Sequence, residues 1–209
     1  MKETRCIILA SGSPRRLELM KRIGFIPDVR CGDVEEQMQD NETPVDYTRR
    51  LAFEKAQATP VAPDEQRWIL AADTIVTIDG QVLEKPVDEA DAKRMLGIMS
   101  GRTHEVITSF CWFNPADGRK DIQSVVAKVE MIDLSESTID AYIATGESMD
   151  KAGAYGIQAI GATLVRKVDG SYFCVMGLPV CEVVESLKKL GGLDVFPFQP
   201  QHKLEKEPG

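Results

Sequence analysis

Asp73 stands inside the apolar run ILAADTIV, where a carboxylate without partners would be costly. Three roles would justify it: a structural acid bonded to nearby backbone, a general base, or a metal ligand. Near the N-terminus, SGSPRRLELM puts Arg15 and Arg16 into the first turn of an expected helix. Free N–H groups and the helix dipole already make that end electropositive. Further positive charge there, directly after a tight Gly/Ser loop, points to a site for an anion. Lys55, Lys85, Glu36 and Asp88 extend the set. Each also has an ordinary reading: Asp88 as a helix N-cap, Lys85 as a solvated loop residue, Lys55 as an exposed helix lysine, Glu36 as one of a solvated acidic pair. The combination, not any single residue, carries the signal.

Strands and helices in alternation must position these groups. Arg5 to Ala10 form an apolar strand buried on both faces, after which Ser13 is a natural N-cap and Pro14 a natural first helical residue. A loop around CGDVEEQ leads to a helix near TPVDYTRRLAFEKAQA, with Val45, Leu51 and Ala52 inward. The run RWILAADTIVTIDGQVLEKPVD reads as a strand, a turn at Asp79-Gly80 and a short return strand. A helix over EADAKRMLGIMSG ends at Gly101, and two long strands pair through PADGR. A helix near ESTIDAYIAT, a loop-rich GESMDKAGAYGIQAIGA, a hairpin at Asp169-Gly170 and a helix from Pro179 to Leu190 complete the chain. Residues 1–193 are expected to be one domain and 194–209 a loosely held tail.

With 25 Lys and Arg against 33 Asp and Glu, the net charge is −8. Such a surface repels a polynucleotide, so nucleic-acid binding is disfavoured, while a small anion held at contact distance by local cations is not. No apolar run reaches the roughly 20 residues of a membrane span, and the N-terminal apolar run is too short for a signal peptide, so the expected setting is cytoplasmic. Five cysteines without a C-x-x-C pair fit reduced thiols. Only two histidines are present, which argues against a His-based metal centre. His104 reads as a structural residue of its strand, and Trp68 and Trp112 as packing aromatics.

LASGSPRRLELM, the Glu of DVEEQ, RLAFEKA, AADTIV, LEKPVD, MLGIMSGRTHEV and DKAGAYGIQAIGATLVRKVDGSYFCVMGLPV together resemble the Maf nucleotide pyrophosphatases in order and spacing, from about residue 5 to 190. The resemblance implies an ITPase-like α/β (mixed α+β) fold: a twisted mixed sheet with a cleft between two lobes. It also implies a divalent cation, Mg²⁺ or Mn²⁺, and hydrolysis of nucleoside triphosphates to monophosphate and pyrophosphate. Matched position by position, Ser11, Arg16, Glu36, Lys55, Asp73, Lys85 and Asp88 correspond to the family's catalytic and phosphate-binding set. Asp73 is the implied proton acceptor, and Glu36, Asp73 and Asp88 are the implied carboxylates for the metal. Arg15, Thr74 and Gln158 resemble the positions that mark the branch acting on dTTP and UTP. A homodimer is also in keeping with the family.

On this reading Arg16 clamps phosphate oxygens and Lys55 and Lys85 act as point charges, with no P-loop pattern present. Thr74 and Gln158 face the edge of uracil or thymine, and CTP, with a donor in place of an acceptor at C4, is rejected. Modified pyrimidine nucleotides would use the same residues. The competing function is a nucleotide-binding regulator of cell division with little turnover.

Overall fold

The computed structural model describes residues 5–196 and 198. The apolar run after Arg5 forms β1 (Cys6–Leu9), and Ser13 and Pro14 open α1 (Pro14–Arg22). Gly24, at φ 94°, turns the chain into β2 (Ile26–Val29). Pro27 and Asp28 weigh against a strand there, but β2 is the edge of the sheet, where a missing ladder donor is tolerated. α2 (Pro44–Gln57) is capped by Thr43, whose hydroxyl accepts from Asp46 N. β3 (Ile69–Ile78) and β4 (Gln81–Leu83) flank the Asp79-Gly80 turn, and α3 (Glu89–Met99) follows. β5 (Thr103–Phe113) and β6 (Lys120–Met131) form the long antiparallel pair, and α4 (Glu136–Ile143) follows them. β7 (Val165–Asp169), α5 (Tyr172–Val175) and α6 (Val180–Lys189) close the chain.

One expected element does not form. The hairpin at Asp169-Gly170 is absent, because β7 pairs back onto β6 and the chain leaves Gly170 as a helix. Ser171 caps that helix, its hydroxyl accepting from Cys174 N at 3.2 Å.

The sheet runs β2-β1-β3-β5-β6-β7, with β4 on β3. β1 is parallel to β2 and β3, and the remaining pairs are antiparallel, which is the mixed sheet expected. Two large apolar cores lie along it. One gathers Leu9, Met20, Trp112, Leu178 and Leu187 with α1 and α6; the other gathers Leu83, Met95, Leu96, Val129 and Tyr142 with α3 and α4. A smaller cluster under α2 joins Ile8, Ala52, Ala56 and Ile69. Trp68 and Trp112 are core residues as expected, with Trp112 Nε1 donating to Val183 O at 2.8 Å. Phe196 and Phe198 pack on the first core; the rest of the expected tail, residues 197 and 199–209, lies outside the described residues. The five cysteines are free thiols. Among the described residues no helix is long and apolar enough to cross a membrane.

The sheet also creates a crevice. β1 pairs with β3 at Ile8↔Ile69 and Leu9↔Leu70, then turns away into α1. β4 joins the same edge of β3 only at Val76↔Leu83. Between them, no strand among the described residues lies beside Ala71 to Ile75 on that edge, although β5 pairs with β3 from Ile69 to Thr77 on the other. A ligand site at the carboxyl ends of diverging parallel strands is the general expectation for such sheets.

Candidate active site

A cavity of about 600 Å³ occupies this crevice, lined from both cores. Asp73 and Thr74, adjacent on β3, point to opposite faces of the sheet and both reach the cavity at its unpaired edge.

On the α2 face, Lys55 Nζ lies 2.6 Å from Asp73 Oδ1 and 2.8 Å from Glu36 Oε1. Helix α2 packs on the sheet through Ala52 and Ala56 and brings Lys55 over the strand. Asp73 is only 6% exposed, so the ammonium compensates a carboxylate that burial alone would penalise. Beside this group Tyr47 O–H donates to Glu84 Oε1 at 2.6 Å. Burial, reinforced by the Glu84 carboxylate, pushes the Tyr47 phenol upward, so it stays protonated as the donor.

On the other face Arg16 reaches into the crevice. Its Nε donates to Gly177 O at 2.8 Å, Nη1 to Ala72 O at 2.8 Å and Ser11 Oγ at 3.1 Å, and Nη2 to Thr74 Oγ1 at 3.0 Å. A guanidinium has five N–H groups, so one is left for a ligand. The expected bidentate phosphate clamp is therefore not what this geometry provides. Arg16 instead takes the place of the missing strand, satisfying the Ala72 carbonyl and tying β3 to the Gly177 loop. Burial lowers its pKa, offset partly by Asp73. Gly177 sits at φ 100°, a conformation that side chains rarely adopt, and this turn aims its carbonyl at Arg16.

The start of α1 has no acidic residue in its first turn, and Ser13 occupies the N-cap without a side-chain capping bond. Gly12, Ser13, Pro14 and Arg15 line the cavity there, so the positive helix end faces it as the sequence leads one to expect. Arg15 Nη1 crosses to Asp150 Oδ2 at 3.1 Å, and Asp150 Oδ1 also holds Lys151 Nζ at 2.6 Å.

Of the residues anticipated, Ser11, Arg15, Arg16, Glu36, Lys55, Asp73, Thr74, Lys85 and Gln158 line this one cavity. Asp88 does not: its carboxylate caps α3, accepting from Asp91 N at 2.7 Å, the ordinary reading of that residue. Among the other lining residues, Tyr47, Glu84, Asp150 and Lys151 bring polar or charged groups that were not anticipated in the site. Tyr47 gives no signal beyond an apolar helix position; Glu84 and Asp150 each stand next to a lysine, a pattern too common on surfaces to single out. His104 is buried and does not line this cavity itself; its Nε2 lies 2.7 Å from the hydroxyl of Tyr155, which does.

The donor set is oxygen-rich. Glu36 and Asp73 converge on one ammonium, which brings the two carboxylates together at the cavity. Among the described residues, however, no group of three or more His, Cys, Asp or Glu is placed to hold an ion. A hard divalent cation fits such a pair of carboxylates when phosphate oxygens and water complete its shell.

Comparison with known proteins bears on the chain as a whole. The family described as Maf-like protein matches residues 6–190. The dTTP/UTP pyrophosphatase of Geobacter metallireducens is 49% identical over 193 residues, 92% of this chain and all of the relative. The dTTP/UTP pyrophosphatase of Aliivibrio fischeri is 46% identical over 185 residues, 87% of this chain and 96% of the relative. Among solved structures, the Staphylococcus aureus Ham1 protein overlaps 61% of this chain and 72% of its own, at 18% identity and a TM-score of 0.43.

Proposed function

This chain belongs to the Maf-like protein family, and from that premise we propose that it hydrolyses dTTP and UTP to the nucleoside monophosphate and pyrophosphate. The observation that carries the reading is the Lys55–Asp73 pair at the rim of a nucleotide-sized cavity, beside an uncapped positive helix end. Names of relatives support the substrate class.

Lys55 holds Asp73 Oδ1, which leaves the second carboxylate oxygen to take the proton of a water attacking the α-phosphorus in line with the departing pyrophosphate. Lys85, Arg15 and the first turn of α1 supply positive charge to the polyphosphate. Glu36 and Asp73 would hold Mg²⁺ or Mn²⁺, whose chemistry there is to neutralise phosphate charge and acidify bound water. Arg16 orders Ser11 and Thr74. Gln158 and Thr74 face the pyrimidine. A cytoplasmic setting and a homodimer belong to the same proposal; sedimentation of the purified chain checks the second.

The test is pyrophosphate release from UTP, dTTP, CTP and GTP with Mg²⁺ or Mn²⁺. Release confined to UTP and dTTP is expected. Nucleotide that raises the melting temperature without being consumed would favour a binding regulator instead.

A further inference from the structure

Thr108 lies opposite Thr74 on β5 and is fully buried. Its Oγ1 is 2.8 Å from Cys174 O and 2.9 Å from Thr74 Oγ1. A carbonyl oxygen can only accept, so the single Thr108 hydroxyl proton points at Cys174 O. Directing it at Thr74 instead would leave two bare oxygens facing each other at 2.8 Å. The proton between the two threonines must therefore come from Thr74. The Thr74 hydroxyl receives a further bond from Arg16 Nη2 at 3.0 Å, and a guanidinium has no acceptor with which to reverse it. Of the two Thr74 lone pairs, one accepts from Arg16 and one remains. Thr74 is the only residue of β3 that is not buried, and it lines the cavity.

We propose that Thr108 is a positioning residue for specificity: by taking the Thr74 proton it makes Thr74 an obligate acceptor, which reads the N3–H donor of a uracil or thymine ring. The inference rests on the pyrimidine reading of the site and names the atom that does the selecting. Cytosine presents a bare N3 at that position, so acceptor would meet acceptor. A phosphate oxygen is refused for the same reason. Ser11, on the same guanidinium, has the opposite polarity. Its Oγ accepts from Arg16 Nη1 at 3.1 Å and from Ser13 N at 3.3 Å, so its proton stays available to an anion. One arginine thus sorts two hydroxyls, a donor for phosphate and an acceptor for base.

The experiment compares kcat/KM for UTP, CTP and 3-deaza-UTP, whose ring matches uracil in size but carries C3–H in place of N3–H and, as a 4-hydroxy-2-pyridone, a hydroxyl in place of the C4 carbonyl. The wild-type protein should prefer UTP over 3-deaza-UTP by about tenfold or more, a difference on the order of one hydrogen bond left unmade at a polar site. Thr108→Val frees the Thr74 proton to swing into the cavity. It should lower kcat/KM for UTP and raise the CTP-to-UTP ratio about tenfold or more, while Thr108→Ser keeps the wild-type ratio. The Cys174 carbonyl still accepts from Gly177 N at 2.9 Å in the valine variant, and circular dichroism reports whether that variant is folded. A folded Thr108→Val with an unchanged ratio, or equal wild-type turnover of UTP and 3-deaza-UTP, overturns the inference. No wild-type turnover of UTP or dTTP overturns the functional reading itself.

Discussion

Lys55 Nζ sits 2.6 Å from Asp73 Oδ1, an ion pair whose carboxylate is 8% exposed and whose ammonium is 16% exposed. The two partners are not equivalent when removed. Asp73→Asn leaves Lys55 still paired with Glu36 at 2.8 Å, so the fold should be little affected. The rate of pyrophosphate release should fall by about 10²–10⁴, the usual contribution of a positioned general base. Lys55→Met leaves a largely buried carboxylate without its cation, and should lose activity and also about 1–3 kcal/mol of stability. Denaturant unfolding of both variants beside kinetics separates these outcomes; equal stability loss in the two would contradict the asymmetry.

Arg16→Lys should behave as a structural lesion. An ammonium cannot serve Gly177 O, Ala72 O, Ser11 Oγ and Thr74 Oγ1 together, as the guanidinium does. With buried acceptors left unserved, a stability loss of about 2 kcal/mol is expected, seen as a melting temperature lower by about 4–8 °C. An arginine that only gripped phosphate would leave the melting temperature of the free protein unchanged.

Gly177→Ala tests the turn that presents its carbonyl to Arg16. At φ 100° any Cβ is strained, and a cost of about 1–2 kcal/mol is expected. The added Cβ would stand 3.4 Å from Thr74 Oγ1, ordinary contact, so the loss comes from backbone conformation and not from crowding. Chemical denaturation measures it, and a neutral substitution would show that the turn relaxes freely.

His104 predicts an acid-sensitive fold. Burial depresses its pKa to about 4 from an ordinary 6.5. The unfolded chain therefore takes up a proton that the folded chain refuses between those values. Its contribution is complete above pH 6.5 and is lost as pH falls towards 4, with a total of about 3 kcal/mol. His104→Gln should flatten the stability profile across that window. A wild-type profile without that slope would place the imidazole in contact with water.

Most of this architecture was legible because local signals agreed with the packing. Ser13-Pro14 opens α1, Asp79-Gly80 turns β3 into β4, and alternation at Ala127, Val129 and Met131 sets the buried face of β6. β2 was hidden because Pro27 and Asp28 are unlike a strand, and only its place at the sheet edge permits them. Asp169-Gly170 looked like a hairpin because turn residues mark where a chain bends, and leave open whether a strand or a helix comes after the bend. Within the site, residue types announced charge but not whom each charge serves. Arg16 reads as a phosphate ligand until the gap in β3 appears beside it. Thr108 carried no signal at all, since the direction of a hydroxyl proton exists only once three oxygens are placed around it.

Strands β3 and β5 stay paired from Ile69↔Phe113 to Thr77↔Glu105, running unbroken beneath both cores and past the crevice. The walls of the cleft are thus mounted on one continuous ribbon, not on two bodies joined by a linker. Such a ribbon has no hinge to swing on; it can widen or narrow the cleft only by winding or unwinding its own twist, against every ladder bond at once. The cavity opens beside the middle of that ribbon, at Asp73 and Thr74, so its floor is set by the twist of two paired strands and its rim by side chains and loops.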